Sequence, residues 1–261
     1  MKKFVSLLEE NEDRIADAMI LEIAKPKSSS LSEVRRTVYY ISQTIEEYIE
    51  FEENYEIVDS SIHKIEGKEV HLTRESLGVV VAISPFNYPV NLSLAKIAPA
   101  LLVGNTVIAK SATQGSLSGA IVAELFDKAG FPKGTFNYVT GRGSKIGDVI
   151  VEHEEVNMIS FTGGERVGIG ISEKTSMIPL VLELGGKDAA IVTKNANLDL
   201  TVKEIIKGAY SYSGQRCTAI KRVLVDEAIA DELSKRLSEE VSKISVGTAT
   251  KENMVTPLID E

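Results

Sequence analysis

The first 55 residues of the chain carry apolar side chains at the spacing of an α-helix. Phe4, Leu8, Ile15, Met19 and Ile23 are separated by four or seven positions, which places them on one face of a helix. Residues 28–54 begin with three serines, which can cap a helix, and continue with a second helical pattern. The sequence therefore predicts a helical N-terminal layer, followed at 58–76 by a hairpin or excursion rich in β-forming residues.

From residue 78 the pattern changes to short, unbroken apolar runs that alternate with longer helical stretches. Strands are predicted at 77–84, 105–111, 134–141, 157–163, 179–184, 187–192 and 221–226. Helices are predicted at 90–104, 116–130, 144–153, 164–176, 198–212 and 228–244. Unbroken apolar strands between helices indicate a parallel sheet covered on both faces. The predicted fold class is α/β, with a Rossmann-like parallel sheet flanked by helices.

A glycine pair, Gly185–Gly186, joins two of these strands and is the predicted domain boundary. Residues 1–185 supply enough strands and helices for one complete α/β domain. Residues 186–261 are too few to close a second α/β sheet, so we expect an incomplete, truncated second domain.

Composition and charge argue against two classes of binding partner. The chain has 261 residues and a formal net charge of −9, which argues against nucleic acid and against membranes, because both require a basic surface. Its single cysteine, Cys217, cannot form an internal disulfide and fits a reducing compartment. Acidic residues interrupt the apolar part of the opening segment too early for a signal peptide, so we expect a cytoplasmic protein.

Polar residues collect where the predicted strands end, which is where open α/β sheets bind ligands. The segments are 84–91, 109–116, 161–168 and 182–187, while 141–147 is interpreted as a loop. Each has an ordinary alternative: a rigid proline turn, a helix cap, a weak glycine pattern, or a carboxylate paired in the core. A lone cysteine is likewise more often a buried core thiol than a reactive group.

Taken in order, these segments resemble the aldehyde dehydrogenase superfamily over almost the whole chain. The resemblance is carried by Asn87 in "PFNYP", Lys110 in "AKSATQ", Thr162–Gly163 in "FTGG", Glu183 in "LELGGK" and Cys217 in "GQRCT". It implies that 1–185 are N-terminal helices and a dinucleotide-binding domain, and that 186–261 are the first part of a catalytic domain.

The resemblance also implies a mechanism that requires no metal. Cys217 is the nucleophile that adds to an aldehyde, and the Asn87 side-chain amide and the Cys217 backbone N–H hold the oxyanion. After hydride transfer to a nicotinamide, Glu183 activates the water that hydrolyses the thioester.

The cofactor implied by the resemblance is NADP, with NAD as the alternative. Members that prefer NAD often carry a glutamate where this chain has Thr113, and a carboxylate there repels a 2′-phosphate, whereas Lys110 attracts it. The implied cofactor-binding residues are Ser84, Lys110, Thr113, Thr162, Gly163, Gly164, Gly168 and Leu184. Gly164 replaces a serine that is usual in the family, and Ser111 replaces a common proline.

A closer likeness to the non-phosphorylating glyceraldehyde-3-phosphate dehydrogenases implies the substrate, which such enzymes oxidise to 3-phosphoglycerate. Arg36, Tyr88, Arg216 and Thr218 stand at the implied substrate-binding positions. Without the resemblance, Arg36 reads as part of a solvated helix face.

Family members are much longer, so this chain resembles their truncated central portion. We therefore expect impaired activity and either a homo-oligomer or association with a missing complementary segment. Two alternatives stay open: an inactive fragment that binds a dinucleotide or a partner, and a dehydrogenase of another small aldehyde or semialdehyde.

Overall fold

The computed structural model describes residues 1–53 and 74–260. Most of the hairpin predicted at 58–76 therefore lies outside the described residues. The N-terminal layer contains α1 (Lys2–Glu10), α2 (Glu12–Ile23) and α3 (Lys27–Glu53). The first predicted helix is broken at Asn11, whose side-chain amide donates to the carbonyl of Leu7 at 2.8 Å. The serines predicted as a cap lie instead within the first turn of α3.

A parallel sheet of five strands forms the centre of the molecule, as predicted. Its strands are β1 (Val79–Ile83), β2 (Thr106–Lys110), β3 (Phe136–Val139), β4 (Val156–Thr162) and β5 (Leu180–Glu183), in the order β3-β2-β1-β4-β5. The helices between them are α4 (Asn91–Leu102), α5 (Ser116–Ala129), α6 (Gly143–Val151) and α7 (Glu165–Lys174). The strand order reverses between β1 and β4, which opens a crevice at their carboxyl ends.

Both faces of this sheet are covered, which explains the unbroken apolar strands. On one face the N-terminal helices join α4 and α5 in a single apolar core, where Phe4 stacks on Phe126 with ring centroids 3.9 Å apart. On the other face Val151 of α6 and Ile171 of α7 pack against Val81 and Ile159 of the strands. The N-terminal layer is therefore part of the same core as the sheet.

A smaller parallel sheet follows, consisting of β6 (Ala189–Val192) and β7 (Arg222–Val225). It packs on α8 (Leu198–Tyr210) and α9 (Ala230–Val241) through a separate small core. Ile191 of β6 and Leu224 of β7 are 77% and 55% exposed. The glycine pair lies between the two sheets, and the division into two domains stays a prediction. Within 1–53 and 74–260, no helix has the length and apolar character needed to cross a membrane.

Candidate active site

The crevice between β1 and β4 opens into a cavity of about 630 Å³, which we call the large cavity. Its walls come mainly from the turns that follow β1, β2, β4 and β5 and from α6 and α7. Of the residues predicted to bind a cofactor, six line it: Ser84, Lys110, Thr162, Gly163, Gly164 and Leu184. The predicted strand-end motifs therefore meet in one place.

The other two predicted cofactor residues lie outside the set that lines the large cavity. Gly168 lies in α7, where an added Cβ would stand 2.4 Å from Cδ2 of Leu184. Its missing side chain therefore lets Leu184 pack as part of the wall. Thr113 is exposed in a short 3-10 turn, Thr113–Gly115, immediately after β2.

Ser111 holds the turn that carries Thr113. Its hydroxyl is buried and lies 2.7 Å from the hydroxyl of Tyr138, which donates to the carbonyl of Ser116 at 2.9 Å. Lys110 donates to the carbonyl of Ser111 at 3.0 Å, and burial lowers the pKa of Lys110. The replacement of proline by serine thus adds a buried hydrogen bond to this turn.

The far end of the large cavity lies between α6 and α7. The helix predicted at 144–153 is confirmed as α6, which begins at Gly143, so the interpretation of 141–147 as a loop is wrong beyond residue 142. Gly143, Ser144 and Gly147 line the cavity, so the small residues of "GRGSKIG" form one face of a helix. The part of the cavity between α6 and α7 forms a slot, to which Val151, Val167 and Ile171 contribute apolar side chains.

The amino end of α7 faces the same cavity. Gly164 is its N-cap and has no side chain to accept the first N–H groups of the helix, and both Gly164 and Val167 line the cavity. Free N–H groups and the helix dipole make such an end suitable for a phosphate. The loss of the usual serine hydroxyl therefore leaves backbone donors at this position.

Cys217 and Asn87 line the large cavity together. Cys217 is exposed, and it follows a turn in which Tyr212, Ser213 and Gly214 have φ values of 51°, 54° and 69°. The amide of Asn87 donates to the carbonyl of Gln215 at 2.8 Å. Consecutive left-handed residues are costly and occur where a site requires a special backbone. This turn and the Asn87 loop are thus tied together beside the thiol.

Glu183 ends β5, and its side chain is exposed, so the core-pairing alternative is wrong. The nearby Lys96 of α4 was missed by the sequence analysis. Its ammonium donates to the hydroxyl of Thr162 at 2.6 Å; burial lowers its pKa, and the charge of Glu183 partly raises it. A lysine within the apolar pattern of α4 was the available signal.

A second cavity of about 320 Å³, which we call the charged cavity, lies on the other side of these loops. Arg36, Tyr88 and Arg216 line it, although they are far apart in the sequence, and Ser28, Ser29, Ser32 and Ser211 complete its polar wall. Thr218, the fourth predicted substrate residue, is exposed and lies outside the described sets that line the two cavities.

Arg216 is fixed by the end of α8. Its Nη2 donates to the carbonyl of Gly208 at 2.5 Å, while its Nε is buried without a partner among the described residues. Burial raises the pKa of Tyr88, while the guanidinium groups of Arg216 and Arg36 partly lower it. These electrostatic effects agree with the placement of all three side chains around one cavity.

Adjacent residues therefore serve opposite cavities. Asn87 lines the large cavity and Tyr88 the charged cavity; Cys217 lines the large cavity and Arg216 the charged cavity. Two short loops thus form a shared wall, with the Cys217 thiol on one side and the Arg216 guanidinium and Tyr88 phenol on the other.

A buried ion pair lies behind this wall and was also missed. The ammonium of Lys25 lies 2.5 Å from Oε2 of Glu33, donates to the carbonyl of Asn87 at 2.8 Å and sits 3.6 Å from the ring centroid of Tyr88. Burial lowers the pKa of Lys25, and Glu33 opposes this shift. Lys25 lies in the short connection between α2 and α3, and no sequence pattern around it indicated a role in the active site.

Comparison with known proteins agrees with this architecture. The profile described as "Aldehyde dehydrogenase family" matches residues 1–261. NADP-dependent glyceraldehyde-3-phosphate dehydrogenase of Streptococcus equinus is 48% identical over 261 residues, which are 100% of this chain and 55% of that protein. The chain thus spans about half the length of the curated relatives it matches.

Solved structures show the same fold. NADP-dependent glyceraldehyde-3-phosphate dehydrogenase from Bacillus halodurans C-125, complexed with NADP, is 51% identical with a TM-score of 0.94, covering 99% of this chain and 54% of that one. A betaine aldehyde dehydrogenase from Staphylococcus aureus in complex with NAD+ is 32% identical with a TM-score of 0.91, covering 99% and 51%. Since both sequence and fold match over almost all of its length, the chain belongs to the aldehyde dehydrogenase family.

Proposed function

We propose that this chain carries the nucleophile and two binding cavities of an NADP-dependent, non-phosphorylating glyceraldehyde-3-phosphate dehydrogenase. The single observation that carries the proposal is the shared wall, in which Cys217 and Asn87 face one cavity while Arg216 and Tyr88 face the other. A short phosphorylated aldehyde would present its carbonyl carbon to Cys217 and its phosphate to Arg216 and Tyr88. The names of the similar enzymes support the same substrate and cofactor.

The large cavity fits a dinucleotide. The hydroxyl of Ser84 is buried without a partner among the described residues, and glycines line the approach to the amino end of α7. These groups suit ribose hydroxyls and a diphosphate, and the apolar slot between α6 and α7 suits a base. Lys110, with Thr113 close by in the next turn, would favour the 2′-phosphate of NADP.

The chemistry begins with the Cys217 thiolate, which forms a C–S bond to the aldehyde carbon as the carbonyl electron pair moves to oxygen. Asn87 has a second side-chain N–H, besides the one bound to Gln215, that can stabilise this oxyanion together with the Cys217 backbone N–H. When bound, the nicotinamide supplies the acceptor for the hydride that the carbon releases.

The remaining step is hydrolysis of the Cys217 thioester. Glu183 takes a proton from water, the water oxygen adds to the thioester carbon, and the C–S bond breaks to return the thiolate. The product is a carboxylic acid, here 3-phosphoglycerate.

Charge in the second cavity favours a phosphate. Arg36 and Arg216 bring two positive charges, while Lys25 and Glu33 neutralise each other as an ion pair, which leaves a net charge of +2 among these lining residues. A phosphate monoester carries about −1.5 to −2 near neutral pH. An uncharged small aldehyde would leave these cations without an anion, and a semialdehyde would bring a single carboxylate charge.

A chain that binds the dinucleotide without turnover is the second candidate. The exposed side chain of Glu183, which lies outside the described lining of the large cavity, favours it. Homo-oligomerisation or association with a complementary segment belongs to the first proposal, because the matched relatives are about twice as long.

The test is NADPH formation from glyceraldehyde 3-phosphate by the purified chain, with Cys217→Ser as the inactive control. Turnover that requires Cys217 supports the enzyme. Tight NADP binding without turnover supports the second candidate. Equal turnover of an unphosphorylated aldehyde of the same length would contradict the assignment of the charged cavity.

A further inference from the structure

The buried pair Lys25–Glu33 contacts both active-site loops. The side chains of Lys25 and Glu33 are 1% and 0% exposed. Lys25 binds the Asn87 carbonyl and lies over the ring of Tyr88, with a second ring, Tyr212, 5.0 Å from its ammonium. These are the residues on either side of the shared wall.

Glu33 completes the attachment from the opposite side. Its Oε1 accepts from the backbone N–H groups of Val90 and Asn91, each at 2.9 Å, at the start of α4. Lys25 thus binds the beginning of the loop 87–91 and Glu33 binds its end. The ion pair between them links the two ends of the loop. The hydroxyl of Tyr212 donates to the carbonyl of Ile23, two residues before Lys25, so the cysteine turn is fixed to the same place.

Stability alone does not account for such a pair. Removing two charges from water is costly, and an apolar pair of similar volume is often as stable or more so. Hydrogen bonds to charged groups, however, fix geometry more strongly than apolar contacts do. The desolvation cost of the Lys25–Glu33 pair is therefore explained by the orientation that the pair gives to the loop 87–91.

We infer that Lys25 and Glu33 are positioning residues, which fix the loop 87–91 so that the Asn87 amide faces Cys217 and the Tyr88 side chain faces the charged cavity. Neither acts on the substrate in this role. The effect on substrate binding rests on the proposed function, whereas the effect on the loop does not.

The test compares two charge-neutralised pairs. Lys25→Met combined with Glu33→Gln removes both buried charges, yet keeps an oxygen at position 33 for the N–H groups of α4. Lys25→Met alone would leave Glu33 buried and unpaired, and could fail to fold. The matched control is Lys27→Met with Asp17→Asn, which removes an exposed pair of 2.6 Å two residues away.

The first measurement is amide hydrogen exchange by mass spectrometry on the purified chain. In the buried-pair variant, exchange in 86–91 and 212–217 is expected to rise by about tenfold or more, because hydrogen bonds to charged groups are lost. Exchange in β4 and α5 stays unchanged, and the surface control changes neither segment. Unchanged exchange in both segments overturns the inference, and so does an equal rise across the whole chain.

The second measurement is calorimetric binding of glycerol 3-phosphate, an unreactive analogue, beside binding of NADP. The buried-pair variant is expected to bind the analogue about tenfold more weakly, as small misplacements of binding groups are costly, and to keep its NADP affinity. Equal analogue affinity in wild type and variant overturns the inference. If the wild type binds NADP but not the analogue, the proposed substrate fails, and the exchange measurement still decides the positioning role.

Discussion

The large cavity is built mostly from backbone, glycine and apolar side chains, whereas the charged cavity is built from charged and hydroxyl side chains. Most residues of the first come from the turns after adjacent strands of one sheet and from α6 and α7. Those of the second come from the α2–α3 connection, from α3, from the loop after β1 and from the turn between α8 and β7. A sheet edge therefore assembles one site by local turns, while the other requires distant elements to meet. The two should respond to different kinds of substitution.

The largest expected effect is on the charged cavity. Arg36→Ala should weaken binding of glycerol 3-phosphate by about tenfold to a hundredfold, since a charge-assisted hydrogen bond is lost, and leave NADP affinity unchanged. Calorimetry on both ligands measures this. The neighbouring Arg35 is the control, because it pairs with Glu12 on the surface and lies outside the cavity wall. Parallel losses for Arg35→Ala would mean that the effect is long-range electrostatics.

A steric change in the wall of the large cavity should weaken binding of NADP and leave binding of the phosphate analogue unchanged. Gly168→Ala forces Leu184 to move, because the new Cβ would lie 2.4 Å from its Cδ2. NADP affinity should fall by about three- to tenfold, as expected for overpacking, with no change in binding of the phosphate analogue.

Ser172→Ala is its control. It places an alanine in the same helix, at an exposed position that lies outside the described lining of the large cavity. A loss of NADP affinity as large as that of Gly168→Ala would contradict the role given to Leu184.

A smaller effect is expected from the turn after β2. Tyr138→Phe removes the hydrogen bonds to Ser111 and Ser116, so the turn carrying Thr113 loosens. NADP affinity should fall by about two- to fivefold relative to NAD, the size of one or two neutral hydrogen bonds. The ratio of the two affinities is measured by titration, with Tyr39→Phe, at a residue 68% exposed, as control. An unchanged ratio would separate this turn from cofactor choice.

The smallest effect is expected far from both cavities. Hydrogen bonds from Arg14 and Lys128 lower the pKa of Glu124 to about 2, from an ordinary value of 4.5. A carboxyl with a lowered folded-state pKa stabilises the fold above its unfolded value, and this contribution disappears as the pH falls from 4.5 toward about 2. Glu124→Gln should therefore lower the thermal midpoint slightly at pH 7, and the difference should vanish near pH 2 and in high salt. A loss of ligand affinity would be unexpected.

The contrast between a cavity built from local turns and one built from distant elements explains which features the sequence could predict. Strands, helices and strand-end motifs depend on neighbouring residues, so the parallel sheet and most of the large cavity followed from apolar runs and from segments such as "FTGG". The charged cavity was reached only through family resemblance, because no spacing links Arg36 to Arg216. Lys25 and Glu33 gave no signal at all, since burial of a lysine depends on the tertiary fold. The helix predicted at 144–153 begins one residue earlier, at Gly143, and the interpretation of 141–147 as a loop was wrong there because glycines usually indicate loops.

One feature of the shared wall limits how the chain can change. Asn87 and Tyr88, and likewise Arg216 and Cys217, face opposite cavities through the alternation of neighbouring side chains. Under the proposed function, substitutions of Asn87 or Cys217 should affect the chemical step, whereas substitutions of Tyr88 or Arg216 should affect phosphate binding. Insertion or deletion of one residue in either loop would instead displace both side chains of that loop, so both cavities would change at once. The length of these loops is therefore more constrained than their composition.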